Sequence, residues 1–175
     1  MSTVASTNNR MLLQQAIQEA EGYLELGMTD HALQTLQHRG TLVHGSGRAC
    51  YLLGESLREM GRYEEALFPL ERSAALVPDD IHAWLALGWC YKRTGQLSRA
   101  INALEAAVHV DGSEPVLHYN LACYWSLARN RTLALRYLAK ALDLDCNYRD
   151  LVPGEPDFDT LRNDPQFRQL TGAEV

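Results

Sequence analysis

A 34-residue repeat is the feature that most constrains how this chain folds. When the sequence is shifted in steps of 34, three columns of similar residues come into register. Two columns hold only small residues: Ala20, Gly54, Gly88 and Ala122, and then Ala32, Ala66, Ala100 and Ala134. The third column holds only leucine: Leu36, Leu70, Leu104 and Leu138. A fixed period of this length is typical of architectures in which one supersecondary unit is stacked several times.

Each repeat has the pattern of a helix hairpin. It contains two stretches of about fourteen residues with helical apolar spacing, and a short turn separates them. Glycine marks this turn at Gly27, Gly61 and Gly95. One hairpin cannot bury its apolar face alone, whereas three or more stacked hairpins make a continuous core. The period therefore predicts four hairpins, over residues 13–46, 47–80, 81–114 and 115–148.

The third repeat carries the most specific motif. It begins W-x-x-L-G-x-x-Y from Trp84 to Tyr91 and continues with Gly95, Ala100 and Leu104. This pattern resembles the tetratricopeptide-repeat (TPR) family. The resemblance implies an all-α, right-handed α-solenoid of four TPR helix hairpins plus C-terminal capping helices, with the TPR domain over residues 10–148.

The sequence departs from the repeat at three places. Residues 1–9 are polar, and we expect a disordered N-terminus there. Several glycines in residues 40–47 should shorten the second helix of the first repeat. Arg129 and Asn130 replace the turn glycine of the fourth repeat, and we expect the asparagine to adopt the positive φ, which asparagine tolerates.

Residues 149–175 are predicted to be a capping segment. They hold three basic and six acidic residues, and their D-x-x-F-x-x-L-R-x-D-P-x-F type of ending is similar to that of bacterial TPR proteins, which suggests a native C-terminus. Asp164 and Pro165 suit a helix start, as N-cap and first helical residue. The segment should cover the fourth hairpin with an apolar face. This face is formed by Phe158, Leu161, Phe167 and Leu170.

Composition limits the partners and the compartment. The net charge of −6 leaves no overall basic surface for nucleic acid or an anionic membrane, so neither is expected as a partner. The first nine residues have neither the basic start nor the apolar run of a secretory signal. Four scattered cysteines without a C-x-x-C pair suit reduced thiols, so we expect a cytoplasmic protein.

No motif in the sequence indicates catalysis or a cofactor. There is no H-E-x-x-H, no histidine pair four residues apart and no phosphate-binding loop after a strand. Cys90 and Cys123 are candidates for an approach across stacked repeats, but buried cysteines usually act as small apolar residues. Cys50 falls in the Trp84 column and should face the core. We therefore expect no enzyme activity, no cofactor and no metal.

The TPR resemblance implies a peptide-binding groove. In the family, the first helix of each hairpin lines a concave groove, whereas Tyr23, Trp84, Tyr91 and Trp125 fall on core columns. A tryptophan and tyrosines outside the core are the residues that dominate interface energetics. The alternative is that Trp89 is half-buried against a neighbouring repeat or against the C-terminal segment. The implied groove residues are Tyr51, Glu55, Arg58, His82, Leu85, Trp89, Lys92, Arg93, Tyr119 and Cys123.

The function implied is that of an adaptor or scaffold. Its partner would be another protein, held as a peptide or helix in the concave groove. The lysine, asparagine and arginine clamp with which co-chaperone TPRs bind a terminal carboxylate is absent in either register, so heat-shock-protein tails are not expected as ligands. One alternative is a chaperone for secreted or assembly subunits; an enzyme or a metal-binding protein is the other.

Overall fold

The structure is a computed structural model that describes residues 2–172, with side chains from Thr7 onward. Within this range there are nine α-helices, three short 3-10 helices and no β-strand. Three of the α-helices begin at intervals of 34 residues, at Gly47, Ile81 and Pro115. The α-helices are α1 (Ser2–Glu25), α2 (Thr29–Gln37), α3 (Gly47–Glu59), α4 (Tyr63–Leu76), α5 (Ile81–Arg93), α6 (Leu97–Val110), α7 (Pro115–Leu127), α8 (Arg131–Leu144) and α9 (Pro165–Thr171). The 3-10 helices are Gly40–Gly45, Cys146–Gly154 and Pro156–Phe158.

The helices form two compact units, the first ending at Thr94 and the second beginning at Gly95. In the first unit α1 packs against α2, α3 against α4 and α4 against α5, and α3 also contacts α1 and α5. The three repeat columns lie inside these packed helices, because Ala20, Ala32, Leu36, Ala66 and Leu70 are fully buried. The same small and leucine positions recur in the second unit as buried Ala100, Leu104, Ala122, Ala134 and Leu138.

Gly54 shows why the first column holds small residues. A Cβ atom on Gly54 would lie 2.5 Å from Cγ of Leu70 and 3.4 Å from the Ala66 carbonyl oxygen. At Gly22, in the same unit, a Cβ atom would meet nothing within 4 Å. The close packing of α3 against α4 therefore requires a residue without a side chain at Gly54. Gly22, on α1, has room for a Cβ atom.

Substitution of these two glycines by alanine should have opposite effects. We expect Gly54→Ala to lower the free energy of unfolding by about 1–3 kcal/mol, because overpacking outweighs the helix propensity gained. Gly22→Ala should raise it by about 0.5–1 kcal/mol, because alanine loses less backbone entropy in a helix. Urea unfolding of both variants measures the difference. Equal shifts in the two variants would contradict close packing at Gly54.

The turns of the hairpins use a left-handed residue at the same repeat position. Gly27, Gly61 and Gly95 have φ of 71°, 73° and 77°. In the fourth repeat this conformation is adopted by Arg129, with φ 57°, and not by Asn130 as the sequence suggested. Asn130 instead has φ −94°, and its side-chain oxygen accepts a hydrogen bond from the Leu133 backbone N–H at the start of α8. The expectation for Asn130 was wrong because Arg129, 34 residues after Gly95, has the turn position, while Asn130 is the N-cap of α8.

The first repeat differs from the others at both ends. Helix α1 begins at Ser2, so residues 2–9, for which we expected disorder, are helical; Met1 lies outside the described residues. Helix α2 has 9 residues, whereas α4, α6 and α8 each have 14, so the predicted shortening is confirmed. The 3-10 helix Gly40–Gly45 follows it, and the Val43 carbonyl accepts a hydrogen bond from the buried Cys50 thiol.

Two of the tryptophans predicted to lie in the core are only partly buried. Trp84 is half-buried, and its indole Nε1 donates a hydrogen bond of 2.8 Å to the carbonyl oxygen of Pro78. Trp125 and Tyr23 are also half-buried. Tyr91 alone matches the expectation, since it is 5% exposed and bonds with Glu71. These repeat positions therefore lie at the edge of the helix packing. The indole N–H of Trp84 reaches a carbonyl there, whereas that of Trp125 has no hydrogen-bond partner among the described residues.

The C-terminal segment covers the fourth hairpin. The 3-10 helix Pro156–Phe158 packs against α7, while Cys146–Gly154 and α9 pack against α8. Phe158, Leu161 and Phe167 are buried, and Leu170 is half-buried. Asp164 caps α9 by accepting hydrogen bonds from the Gln166 and Phe167 backbone N–H groups, as expected. No helix among residues 2–172 is both long and apolar enough to span a bilayer.

Candidate functional site

Eight of the ten predicted groove residues lie on two contacting helices of the first unit. Helix α3 supplies three of them and α5 supplies five, and the two helices pack side by side. All eight have at least partly exposed side chains. We call this set the α3–α5 face: Tyr51, Glu55, Arg58, His82, Leu85, Trp89, Lys92 and Arg93.

Trp89 is the most exposed apolar residue of the α3–α5 face. Its side chain is 40% exposed, whereas the adjacent Cys90 and nearby Leu87 and Tyr91 are buried. Helix periodicity explains the difference, because Leu87 and Tyr91 are four residues apart and share the packed side of α5. Leu85 on α5 is half-buried. Trp89 therefore presents part of its apolar surface to solvent.

Two opposite charges at the centre of the face bind each other. Arg58 donates to both carboxylate oxygens of Glu55, from Nε at 2.9 Å and from Nη2 at 2.6 Å, and it also bonds with Glu59. The Arg58 and Glu55 side chains are only 24% and 19% exposed. The hydrogen bond with Glu55 raises the pKa of Arg58. This bidentate ion pair orients both side chains and leaves no unpaired charge at the centre of the face.

The polar groups around this pair are held in their neutral forms. Burial, reinforced by the Glu55 charge, raises the pKa of Tyr51 to about 12, so its phenol is a neutral donor and acceptor at neutral pH. Burial likewise raises the pKa of the Cys90 thiol to about 11, and the charge of Arg58 opposes this only in part. A thiol of this pKa is a poor nucleophile, because the thiolate is the reactive form.

The other basic residues of the face, Lys92 and Arg93, lie at the end of α5. The Arg93 guanidinium lies 5.1 Å from the ring centroid of Tyr63, the first residue of α4. Arg48, just outside the face, lies 5.4 Å from the Tyr51 ring centroid and forms an ion pair with Glu21. Lys92 and Arg93 both fall in the last turn of α5, where positive charge is favoured by the helix dipole.

Tyr119 and Cys123, the other two predicted groove residues, are covered by the C-terminal segment. They lie four residues apart on α7 in the second unit and are 6% and 2% exposed. The Tyr119 ring centroid is 5.1 Å from that of Tyr148 and 5.8 Å from that of Phe158. Their expected exposure to a ligand is therefore corrected: the chain folds back onto this face of α7, and repeat periodicity gives no signal of that contact.

The fold-back also assembles a cluster that sequence spacing did not reveal. Potential ligand atoms of Cys123, Glu155 and Asp157 all lie within 4.8 Å of one another. The Tyr119 hydroxyl is buried beside them and has no hydrogen-bond partner among the described residues. Burial, followed by the charges of Cys123 and Glu155, raises the pKa of Tyr119. Cys123 is far from the two acids in sequence, so no local motif could have identified the cluster.

The tandem helix hairpins place the chain in the class of helical-repeat proteins. A family model described as tetratricopeptide repeat matches residues 57–122. A crystal structure of MamA has a TM-score of 0.71 at 22% identity, covering 85% of this chain and 84% of that chain. MamA 41-end from Desulfovibrio magneticus RS-1 has a TM-score of 0.71 at 25% identity, covering 77% and 76%.

A third solved structure, YrrB, is described as a TPR protein with an unusual peptide-binding site. Its TM-score is 0.71 at 24% identity, and the alignment covers 77% of this chain and 70% of that chain. No curated protein matches the chain. The family match and the structural neighbours support a TPR protein, consistent with a helical solenoid.

Proposed function

We propose that this chain is an adaptor that binds a peptide or a partner helix on the α3–α5 face. The observation that carries the proposal is Trp89, which is 40% exposed although the adjacent Cys90 is buried. Tyr51 and Leu85 lie half-buried on the same face. An aromatic residue beside other apolar side chains, with polar groups at the margin, is the usual composition of an interface hot spot.

The charges of the face indicate what kind of ligand it suits. Glu55 and Arg58 satisfy each other, so a terminal carboxylate gains no isolated basic partner at the centre. Lys92 and Arg93 give the end of α5 a positive charge. The proposed ligand therefore places an apolar side chain against Trp89 and acidic residues near the end of α5, where charge acts mainly on the rate of association.

The proposal assigns a binding role and no catalysis. The raised pKa of Cys90 and the mutual pairing of Glu55 and Arg58 support this, because Cys90 is held as the unreactive thiol and the carboxylate at the centre of the face is paired. YrrB is described as having a peptide-binding site, which is a property of that protein. For this chain it supports the proposal only as an example of peptide binding by a similar fold. We also keep the cytoplasm as the proposed compartment, and we propose that the D-P-x-F type of ending is a TPR-type cap.

Peptides selected from a randomised display library against the purified chain provide a test. We expect the double variant Tyr51→Ala with Leu85→Ala to weaken binding of a selected peptide by about tenfold or more, which is about 1.4 kcal/mol. Fluorescence anisotropy with a labelled peptide measures the affinity. The double variant Phe68→Ala with Leu76→Ala is the matched control, since it removes exposed apolar side chains of α4 outside the face.

The two double variants distinguish binding at the α3–α5 face from non-specific hydrophobic binding elsewhere on the protein. Loss of binding in the Tyr51 and Leu85 variant, with wild-type affinity in the control, supports the α3–α5 face. The reverse pattern would place the binding surface on α4 and contradict the proposal. Circular dichroism of both variants is recorded first, so that only folded proteins are compared.

A further inference from the structure

We propose that Cys123, Glu155 and Asp157 form a binding site for a divalent transition-metal cation of the Zn²⁺ type. One ligand atom from each residue lies within 4.8 Å of the other two. Cysteine sulfur and carboxylate oxygen are both ligands of Zn²⁺ in proteins, with bond lengths of about 2.0–2.3 Å. Three atoms arranged around one ion at such distances are about 3–4 Å apart, so only small side-chain movements are needed.

A second observation at the cluster points to a ligand. The Tyr119 hydroxyl has no hydrogen-bond partner among residues 7–172, although the side chain is only 6% exposed. Buried hydroxyls are normally satisfied, and an exception calls for an explanation such as an ion or water. Tyr119 lies four residues before Cys123 on α7 and so shares its helix face. The hydroxyl is thus available to a cation or to a water molecule bound to the cation.

The ligand set selects the class of metal. A thiolate favours Zn²⁺ and related transition metals over Mg²⁺ and Ca²⁺, which take oxygen ligands. Cys123 must lose its proton to the solvent when the metal binds. The resulting thiolate and two carboxylates carry three negative charges, which a divalent cation reduces to one. Such a site should therefore bind more tightly as the pH rises, because each bound ion releases one thiol proton.

The local backbone orients the Glu155 carboxylate. Glu155 accepts a hydrogen bond of 3.1 Å from the Asp157 backbone N–H, and the Glu155 carbonyl accepts one of 3.0 Å from Arg162 Nη2. These bonds fix the bend at which the 3-10 helix Pro156–Phe158 begins. A metal bound to Cys123 as well would join this bend directly to α7.

Cobalt titration of the full, reduced, metal-free chain tests the site. We expect one Co²⁺ per chain with a thiolate-to-cobalt charge-transfer band in the near ultraviolet, and displacement of Co²⁺ by Zn²⁺. Cys123→Ala should abolish the band. Asp157→Asn, which keeps the size of the side chain, should weaken Zn²⁺ binding by about tenfold or more, the effect typical of a disturbed metal site. Cys146→Ser is the control, because Cys146 is exposed and outside the cluster.

Melting curves keep the test independent of folding defects. Zn²⁺ should raise the Tm of the wild type and of Cys146→Ser by similar amounts, and at the same Zn²⁺ concentration it should raise the Tm of Asp157→Asn by less, because a site that is weaker by about tenfold stabilises the fold less. Absence of a cobalt band in the wild type would overturn the proposal. It would also be overturned if the band persisted in Cys123→Ala and disappeared in Cys146→Ser, which would move the thiolate ligand to the surface cysteine.

Discussion

Replacing Phe158 by alanine is expected to lower the free energy of unfolding of the second unit by about 3–5 kcal/mol, the range for a buried phenylalanine. Phe158 is fully buried, and its ring centroid lies 5.8 Å from that of Tyr119 and 5.5 Å from that of Phe167. The substitution therefore leaves a cavity between α7, α9 and the 3-10 helix that carries the residue.

Leu151→Ala is the matched control for this prediction. Leu151 lies in the same C-terminal segment but is 54% exposed, so its truncation should change stability by less than about 0.5 kcal/mol. Denaturant unfolding followed by circular dichroism measures both variants. Similar small effects in the two variants would show that the C-terminal segment does not act as a cap. Deletion of residues 156–175 should then also leave the Tm unchanged, whereas we expect it to fall.

The second large effect concerns binding and not folding. We expect Trp89→Ala to weaken binding of a selected peptide by about 2 kcal/mol or more, as for other interface hot spots. This corresponds to about thirtyfold in Kd. Helical content and Tm should stay close to wild type, because 40% of the side chain is exposed and the packed side of α5 is formed by other residues.

Trp84→Ala provides the contrast on the same helix. It removes the hydrogen bond between the indole Nε1 and the Pro78 carbonyl and the packing of a half-buried ring. We expect a loss of at least about 1 kcal/mol of stability, the net value of one such bond. Unfolding and peptide affinity are measured on both variants. If Trp89→Ala unfolds the protein as readily as Trp84→Ala, the assignment of Trp89 to a binding surface is wrong.

The helix hairpins could be predicted because the same sequence pattern occurs four times along the chain. Gly54 and Leu70 show the physical reason, since the column of small residues exists where one helix approaches the leucine of the next. The start of the capping helix was equally predictable, because Asp164 and Pro165 act locally on the backbone groups of α9.

Features that depend on tertiary contacts could not be predicted in this way. The left-handed turn of the fourth repeat is a different case, because Arg129 lies 34 residues after Gly95 and the repeat register itself gives it the turn position. Tyr119 has the register of a groove residue, yet Phe158 and Tyr148 cover it. The return of the C-terminal segment over α7 is set by long-range packing, so its effect on the candidate site appears only in the structure.

The indole N–H signals of the three tryptophans test the central claim most directly. In a proton–nitrogen correlation spectrum these signals are assigned with single tryptophan-to-phenylalanine variants, and a selected peptide is then titrated in. Binding on the α3–α5 face predicts that the Trp89 signal shifts or broadens with peptide occupancy, while the Trp125 signal stays in place. A Trp89 signal that does not change while the peptide binds and the Trp125 signal moves would contradict the account.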